Sequence, residues 1–516
     1  MEPSTTINPA MQETPNEIIA LEDIKPHPLF KFMGLGSLIY AFFYTLFLYH
    51  NGSGITYPFF VGGTCLFFFL YLRKSGITAK KFSVFITAAL ILLGISTCLT
   101  DSWVLIFLNK LGIFCLFFYL SLHSFYEDKS WNLMKYAGAI TRIVCSSLLY
   151  LFSPFADLAA FERLRRQEQN KEEGKGKYVV IGALIALPLL LVILLLLSSA
   201  DAVFSHILSR TLTFDFSFFD HIWGYLFLFL FAFFASYCLM SRLSERNLEE
   251  ITEDKRTAEP IIGITVTAII SLVYLLFCGI QIVYLFAGLG TLPEHYTYAS
   301  YAREGFFQLV FVCLINLALV LICTGRFREN KILKVILTFI SGCTYIMIAS
   351  SVYRMLLYID VYHLTFLRVF VLWALLVISV LMAGALAVIY RQNFPFVKYC
   401  VCTVTVLYLI FSFARPDSFI ASYNLKNSYD PMKEETCDSF YDYAYLRQLS
   451  LDAAPVILSN STALGYEYNH WFINYQKEAI RNEPSSLRKW NYSRWRAATL
   501  CNTLFGKEYC LYLTND

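Results

Sequence analysis

The chain has 516 residues, is 57% hydrophobic and only 15% charged, and carries a formal charge of +3. Soluble domains average about 45–50% apolar and about 25% charged residues, so the composition excludes an ordinary soluble globular protein. A net charge so near neutral gives no basis for a nucleic-acid partner, and a mean hydropathy of +0.55 fits helices of about 20 apolar residues crossing about 30 Å of hydrocarbon.

Residues 1–28 read as a disordered cytoplasmic tail. The first 24 are mostly polar and acidic, without the basic and apolar regions of a cleavable signal peptide. Apolar stretches follow at 33–49, 56–72, 82–99 and 106–123. Neither Phe67–Leu72 nor Leu189–Leu197 alternates in polarity as a barrel strand would, so helices are predicted. Residues 131–155 are apolar but hold Lys135, Arg142, Ser146 and Ser147 between two basic loops. That pattern predicts a helix at the cytoplasmic interface rather than a span. Loop 161–178 mixes acidic with basic residues and reads as solvated. A span at 178–198 precedes a short amphipathic segment at 199–220, with Phe204, Ile207 and Leu208 on one side. Further spans are predicted at 221–240, 261–289, 306–323, 335–357, 365–389 and 397–414.

Loops 73–81, 161–178, 241–260, 324–334 and 391–398 are rich in Lys and Arg, and the loops between them, 50–55, 100–110, 199–220, 290–305 and 358–364, have almost none. Basic residues stay on the cytoplasmic side of short loops. The alternation therefore predicts an all-α polytopic membrane protein with about eleven transmembrane helices within residues 29–415. Its N-terminus is cytoplasmic and its C-terminus extracytoplasmic.

After Arg415-Pro416 the chain turns polar, and residues 416–516 are predicted to form a small, mainly helical extracytoplasmic module. Phe440, Tyr443, Leu446 and Leu449 have helical spacing; Asp452 and Pro455 suit the cap and first turn of a second helix. Cys501 and Cys510 form either a disulfide or a pair of packed thiols. The chain has 14 cysteines; most lie within spans, and they lack a paired CxxC spacing. HExxH, Walker A and GxGxxG patterns are missing too, so no metal or cofactor is expected.

Ionisable residues inside apolar spans are costly and mark sites by default. Here they gather at the outer ends of spans: Asp201; His295, Tyr296, Tyr298, Tyr301, Arg303, Glu304 and Gln308; Ser350, Arg354, Tyr358 and Asp360; and Arg368. Ser350, Arg354 and Tyr358 are four apart and share a helix face, as do Glu304 and Gln308, with Asn316 two turns deeper. Asp360, Glu304 and Asp201 are the candidate counter-charges for Arg368. The pattern points to an outward-facing polar pocket where Arg354 and Arg368 bind an anionic or lipid-linked envelope ligand, for binding or transport. An alternative is a membrane-embedded transferase or hydrolase with His295 or Glu304 as general base. Another is a scaffold or sensor that holds a protein partner through Trp471, Trp490 and Trp495. Snorkelling arginines, an aromatic belt and a structural ion pair would also account for these residues.

Ser199–Phe204, His295–Phe307, Tyr345–Asp360, Leu364–Ala383 and Tyr445–Pro455 resemble a family of bacterial polytopic membrane proteins catalogued as domain of unknown function 4173. The resemblance covers about residues 175–500. It implies a membrane fold and a bacterial source, hence an expected place in the bacterial cytoplasmic membrane, and it transfers no activity and no catalytic residue.

Overall fold

A computed structural model describes residues 26–128, 131–169, 216–245, 256–283, 306–391, 394–428, 445–460 and 470–510, with isolated positions between 182 and 204. Among the described residues the secondary structure is helical, without a strand; one isolated bridge joins Ala258 to Phe327. In chain order the membrane part comprises α1 (Phe30–Leu48), α2 (Thr56–Lys74), α3 (Lys81–Leu99), α4 (Trp103–Phe125), α5 (Leu133–Leu149), α6 (Ser153–Gln169) and α7 (Phe216–Ser244). It continues with α8 (Pro260–Gln281), α9 (Phe306–Arg326), α10 (Lys331–Tyr362), α11 (Phe366–Tyr390) and α12 (Phe396–Phe413). The C-terminal part holds α13 (Pro416–Ser428), α14 (Ala454–Ser459), α15 (His470–Arg481) and α16 (Tyr492–Phe505).

Nine helices among the described residues are long and apolar enough to cross a bilayer, and they coincide with nine of the eleven predicted spans. The predicted span 56–72 is the helix α2, which is not among the nine. The predicted span 178–198 lies largely outside the described residues. The interfacial helix predicted at 131–155 is longer than expected: α5 and α6 follow each other across a bend at 150–152, and together they are apolar enough to count as a tenth candidate.

Local sequence sets the ends of these helices. Asn330 caps α10 by accepting from the amides of Ile332 and Leu333, and Thr365 caps α11 through the amide of Arg368. Pro260 opens α8, where its missing N–H costs nothing. Gly384 lets α12 approach α11, since a Cβ there would lie 2.3 Å from the Tyr399 ring. The Tyr399 hydroxyl then donates to the carbonyl of Val380 at 2.7 Å.

Contacts divide the chain into two compact units. The first comprises residues 1–42 and 144–242. In it Asp157 accepts from the backbone amide of His27 at 3.0 Å and the hydroxyl of Tyr237 at 2.6 Å, while the Arg242 guanidinium stacks 3.3 Å above the Tyr150 ring. The second comprises residues 43–143 and 243–516, so the C-terminal helices belong to the same unit as α2–α4 and α8–α12. Among the described residues, one buried cluster of this unit runs from Cys313, Met347 and Leu375 in the membrane helices to Leu458, Phe472 and Cys501 in the C-terminal ones.

Candidate functional site at the module end of the bundle

Arg354 is only 6% exposed on α10, surrounded by apolar helices. Its Nη2 donates to Gln281 Oε1 on α8 at 3.2 Å, and Ser350, one turn away, donates to the same oxygen at 2.6 Å. Two turns deeper, the Tyr274 hydroxyl donates to Asn316 Oδ1 at 2.6 Å, and Asn316 Nδ2 donates to Thr344 Oγ1 at 2.9 Å. Side chains of α8, α9 and α10 thus form a polar column, which satisfies groups that the apolar interior would otherwise penalise. Just beyond Gln281 the backbone turns π-helical at Ile282–Val283, a distortion frequent at functional sites.

Arg368 does something else. Its Nη1 donates to the carbonyls of Tyr362 and His363, and its guanidinium lies 4.4 Å from the Tyr358 ring, itself 4.8 Å from Tyr362. Those carbonyls have no intrahelical partner because α10 ends there, and His363 leaves the helix with φ of 57°. Arg368 thus meets the negative end of the α10 dipole. Among the described residues no ion pair joins Asp360 to Arg354 or Arg368, and Asp360 is exposed. Gln308 is exposed on α9. Asp201 is exposed in the first unit and accepts from the amide of Phe204 at 3.3 Å. His295, Tyr296, Tyr298, Tyr301, Arg303 and Glu304 lie outside the described residues.

The C-terminal helices sit across these helix ends. Asn424 on α13 exchanges two 2.9 Å hydrogen bonds with the backbone of Leu364, and the Tyr445 hydroxyl accepts from the amide of Phe366 at 2.6 Å. On the other side the module grips the α3–α4 turn. Asp452 was expected to cap α14; instead its carboxylate accepts from the Thr100 hydroxyl and, at 2.8 Å, from the amide of Asp101, while Ala453 holds the cap position. Arg494 Nε meets Asp101 Oδ1 at 2.5 Å. Asn491 caps α16 and donates to the carbonyls of Ser53 at 3.1 Å and Thr100 at 2.9 Å. Arg488 donates to the carbonyls of Leu46 and Tyr49, which end α1. Two predicted non-basic loops, around 100 and around 364, therefore lie at one end of the second unit, under the module.

Sequence reasoning missed Asp101, Asn491 and Arg494, whose partners are hundreds of residues away, and Asp417, whose partner Ser450 is 33 residues on. Burial raises the Asp101 carboxyl above its ordinary value, with Arg494 opposing and Asp452 adding to the rise. Burial raises Asp417 as well, and again Asp452 adds to it; the Ser450 hydroxyl, which donates to Asp417 at 2.5 Å, opposes it. Cys501 and Cys510 are buried thiols 3.7 Å apart, the second of the two arrangements foreseen. Trp471 and Trp490 are half-buried, and Trp495 is 43% exposed, 6.2 Å from Trp490.

Helices of this length and apolarity, with buried polar columns between them, define an all-α, multi-pass integral membrane protein. More narrowly, the chain belongs to the family described as Domain of unknown function (DUF4153), whose model matches residues 87–460. That is a different family number from the one the resemblance suggested, with activity equally unassigned. No curated protein and no solved structure matches the chain.

Proposed function

We propose that the protein binds, and in binding transports or presents, an anionic or lipid-linked cell-envelope ligand at the outward-facing end of α10, in the bacterial cytoplasmic membrane. The observation that supports this most is Arg354, a guanidinium enclosed at 6% exposure among apolar helices and held beside Ser350 by a shared Gln281 oxygen. A cation in a span is expensive to keep, and the planar fork of Arg is suited to two parallel bonds to a phosphate or carboxylate. Gln281 and Ser350 hold the fork in place, and the π-helical turn above Gln281 leads into residues 284–305, which carry the tyrosines expected at the rim. The module over the α10–α11 turn is the natural cover. Arg368 is reassigned in this reading: it fastens the end of α10 and is not a ligand.

The test is native mass spectrometry of the protein purified in mild detergent. Wild type and Arg368→Ala should carry the same co-purified anionic species, and Arg354→Gln should lose it while keeping its melting temperature within a few degrees. Retention of the species by Arg354→Gln would refute the reading.

A further inference from the structure

A second buried group of ionisable side chains lies at the opposite, basic end of the second unit, in the last turn of α4 and the segment that leads into α5. His123 Nδ1 is 2.5 Å from Asp128 Oδ2, and the Tyr136 hydroxyl donates to that same oxygen. His123 is 1% exposed, and the side chain of Asp128 is 2% exposed. The imidazole is walled by rings: Tyr119 lies parallel to it at 5.9 Å, Phe82 stands perpendicular at 5.8 Å, and Tyr136 is 5.0 Å from Tyr119.

The protonation pattern follows from this geometry. Burial works against the charge of Asp128, but the bonds from His123 and Tyr136 outweigh it and hold the carboxyl below its ordinary value. An ionised carboxylate only accepts, so His123 Nδ1 must carry a hydrogen. In the neutral ring Nε2 is then a bare acceptor on the edge turned away from Asp128. That nitrogen is buried and meets no hydrogen-bond partner. Buried polar groups are nearly always satisfied, and an exception points to something that completes it.

We propose that His123, Asp128 and Tyr136 form a proton-binding site of the membrane domain, with the proton taken up at His123 Nε2 from the basic side of the bundle. The imidazolium so formed is balanced by Asp128 at the Nδ1 edge. Uptake converts the enclosed lone pair into an N–H donor, which needs an acceptor that the Phe82–Tyr119 wall does not supply. Proton uptake and the opening of that wall to water therefore go together.

The charged and titratable groups around the site are few. From the start of α3, Lys80 donates to the carbonyl of Tyr126 at 2.8 Å and lies 3.5 Å from Glu127. From α5, Lys135 sits 4.7 Å above the Trp131 ring. From α12, Lys398 lies 5.9 Å from the Phe82 ring, and Cys402 is the neighbour of Tyr119. The three lysines oppose a further positive charge, and Asp128 favours it. The Asp128 oxygen touches the ring and the lysines do not, so the pair sets the balance. This site is separate from Arg354 and stands or falls without it.

The test uses full-length protein labelled with [15N]histidine in lipid bilayers and read by solid-state nitrogen spectra, which report tautomer and charge. His123→Asn assigns the resonance, since Asn keeps a donor for Asp128 and lacks Nε2; Tyr136→Phe, which perturbs the same signal, assigns it if His123→Asn does not fold. At about pH 9 the ring should be neutral with its hydrogen on Nδ1, and by about pH 5 it should be an imidazolium, across the range in which histidine changes charge. Asp128→Asn should move the midpoint down by about one pH unit, a tenfold loss of proton affinity. A hydrogen on Nε2 at the alkaline end, a ring still neutral at the acid end, or an unchanged midpoint in Asp128→Asn would each overturn the proposal.

Discussion

Asn491→Ala should loosen the module from the bundle by about 3 kcal/mol. The fully buried Asn491 side chain performs three tasks: it accepts from the amides of Ser493 and Arg494 as the cap of α16, and it donates to the carbonyls of Ser53 and Thr100. Losing an Asn cap typically costs about 1 kcal/mol. Each neutral hydrogen bond contributes about 1 kcal/mol, and the two carbonyls would be left buried without their partner. A loss of about 3 kcal/mol is a factor of about a hundred in the docking equilibrium. Asn491→Ser separates the contributions. Serine keeps a cap oxygen but cannot reach both carbonyls, so about 2 of the 3 kcal/mol should still be lost. The assay is hydrogen–deuterium exchange of residues 491–505 in detergent, where the loss appears as faster exchange at unchanged protection of α3 and α4. Exchange of α16 within a factor of about two of wild type in both variants would refute the reasoning, as would equal loss in α3 and α4, which would indicate global unfolding.

The seat should also respond to pH through Asp417, whose carboxyl is raised above the ordinary 3.8. A raised acid binds its proton more tightly when docked, so its contribution is fully present below the undocked value and is lost as pH rises through the docked one. Protection of α13 should therefore weaken from about pH 4 upward, Asp417→Asn should flatten the profile, and a profile rising with pH would contradict the sign. Arg368→Ala should lower stability by about 1–2 kcal/mol, from the lost dipole contact and the Tyr358 stacking, without changing the co-purified ligand; a chemical melt of the two proteins side by side checks this. Cysteine introduced at 470 should react with an impermeant maleimide in intact cells, and cysteine introduced at 170 only after permeabilisation; labelling of both from the cytoplasm would sink the expected orientation.

What the sequence made legible is what short-range physics determines. Apolar runs of span length became helices, and Asn330 and Thr365 start α10 and α11 as side-chain N-caps. Ser350 and Arg354 share a face because the helical repeat demands it, and both reach the same Gln281 oxygen. Among the described residues the partners of Arg368 are backbone carbonyls, where the sequence directs attention to charged side chains. The unpaired carbonyls at the end of α10 carry partial negative charge that no residue letter records. Asp452 was misjudged for a related reason. Its spacing to Pro455 is that of a helix cap, but two hydrogen bonds from residues 100 and 101 outcompete a local one, and nothing local encodes that contact.

The polar seat explains why the C-terminal helices pack as part of the second unit. A module tethered only by the chain would be free to swing about Arg415, whose φ of 51° breaks the path between α12 and α13. Three separate anchors prevent that: Asn424 and Tyr445 on the α10–α11 turn, Asp452 and Arg494 on the α3–α4 turn, and Arg488 on the end of α1. Each anchor uses backbone groups that helix ends leave unpaired, so the module satisfies the termini of the helices it covers. Breaking one anchor leaves the other two as pivots, which would turn the module through a limited arc instead of releasing it. Of the three, the Asn424–Tyr445 anchor lies on the turn that ends the helix carrying Arg354. Movement there would change access to the buried guanidinium before it disturbed the α3–α4 side.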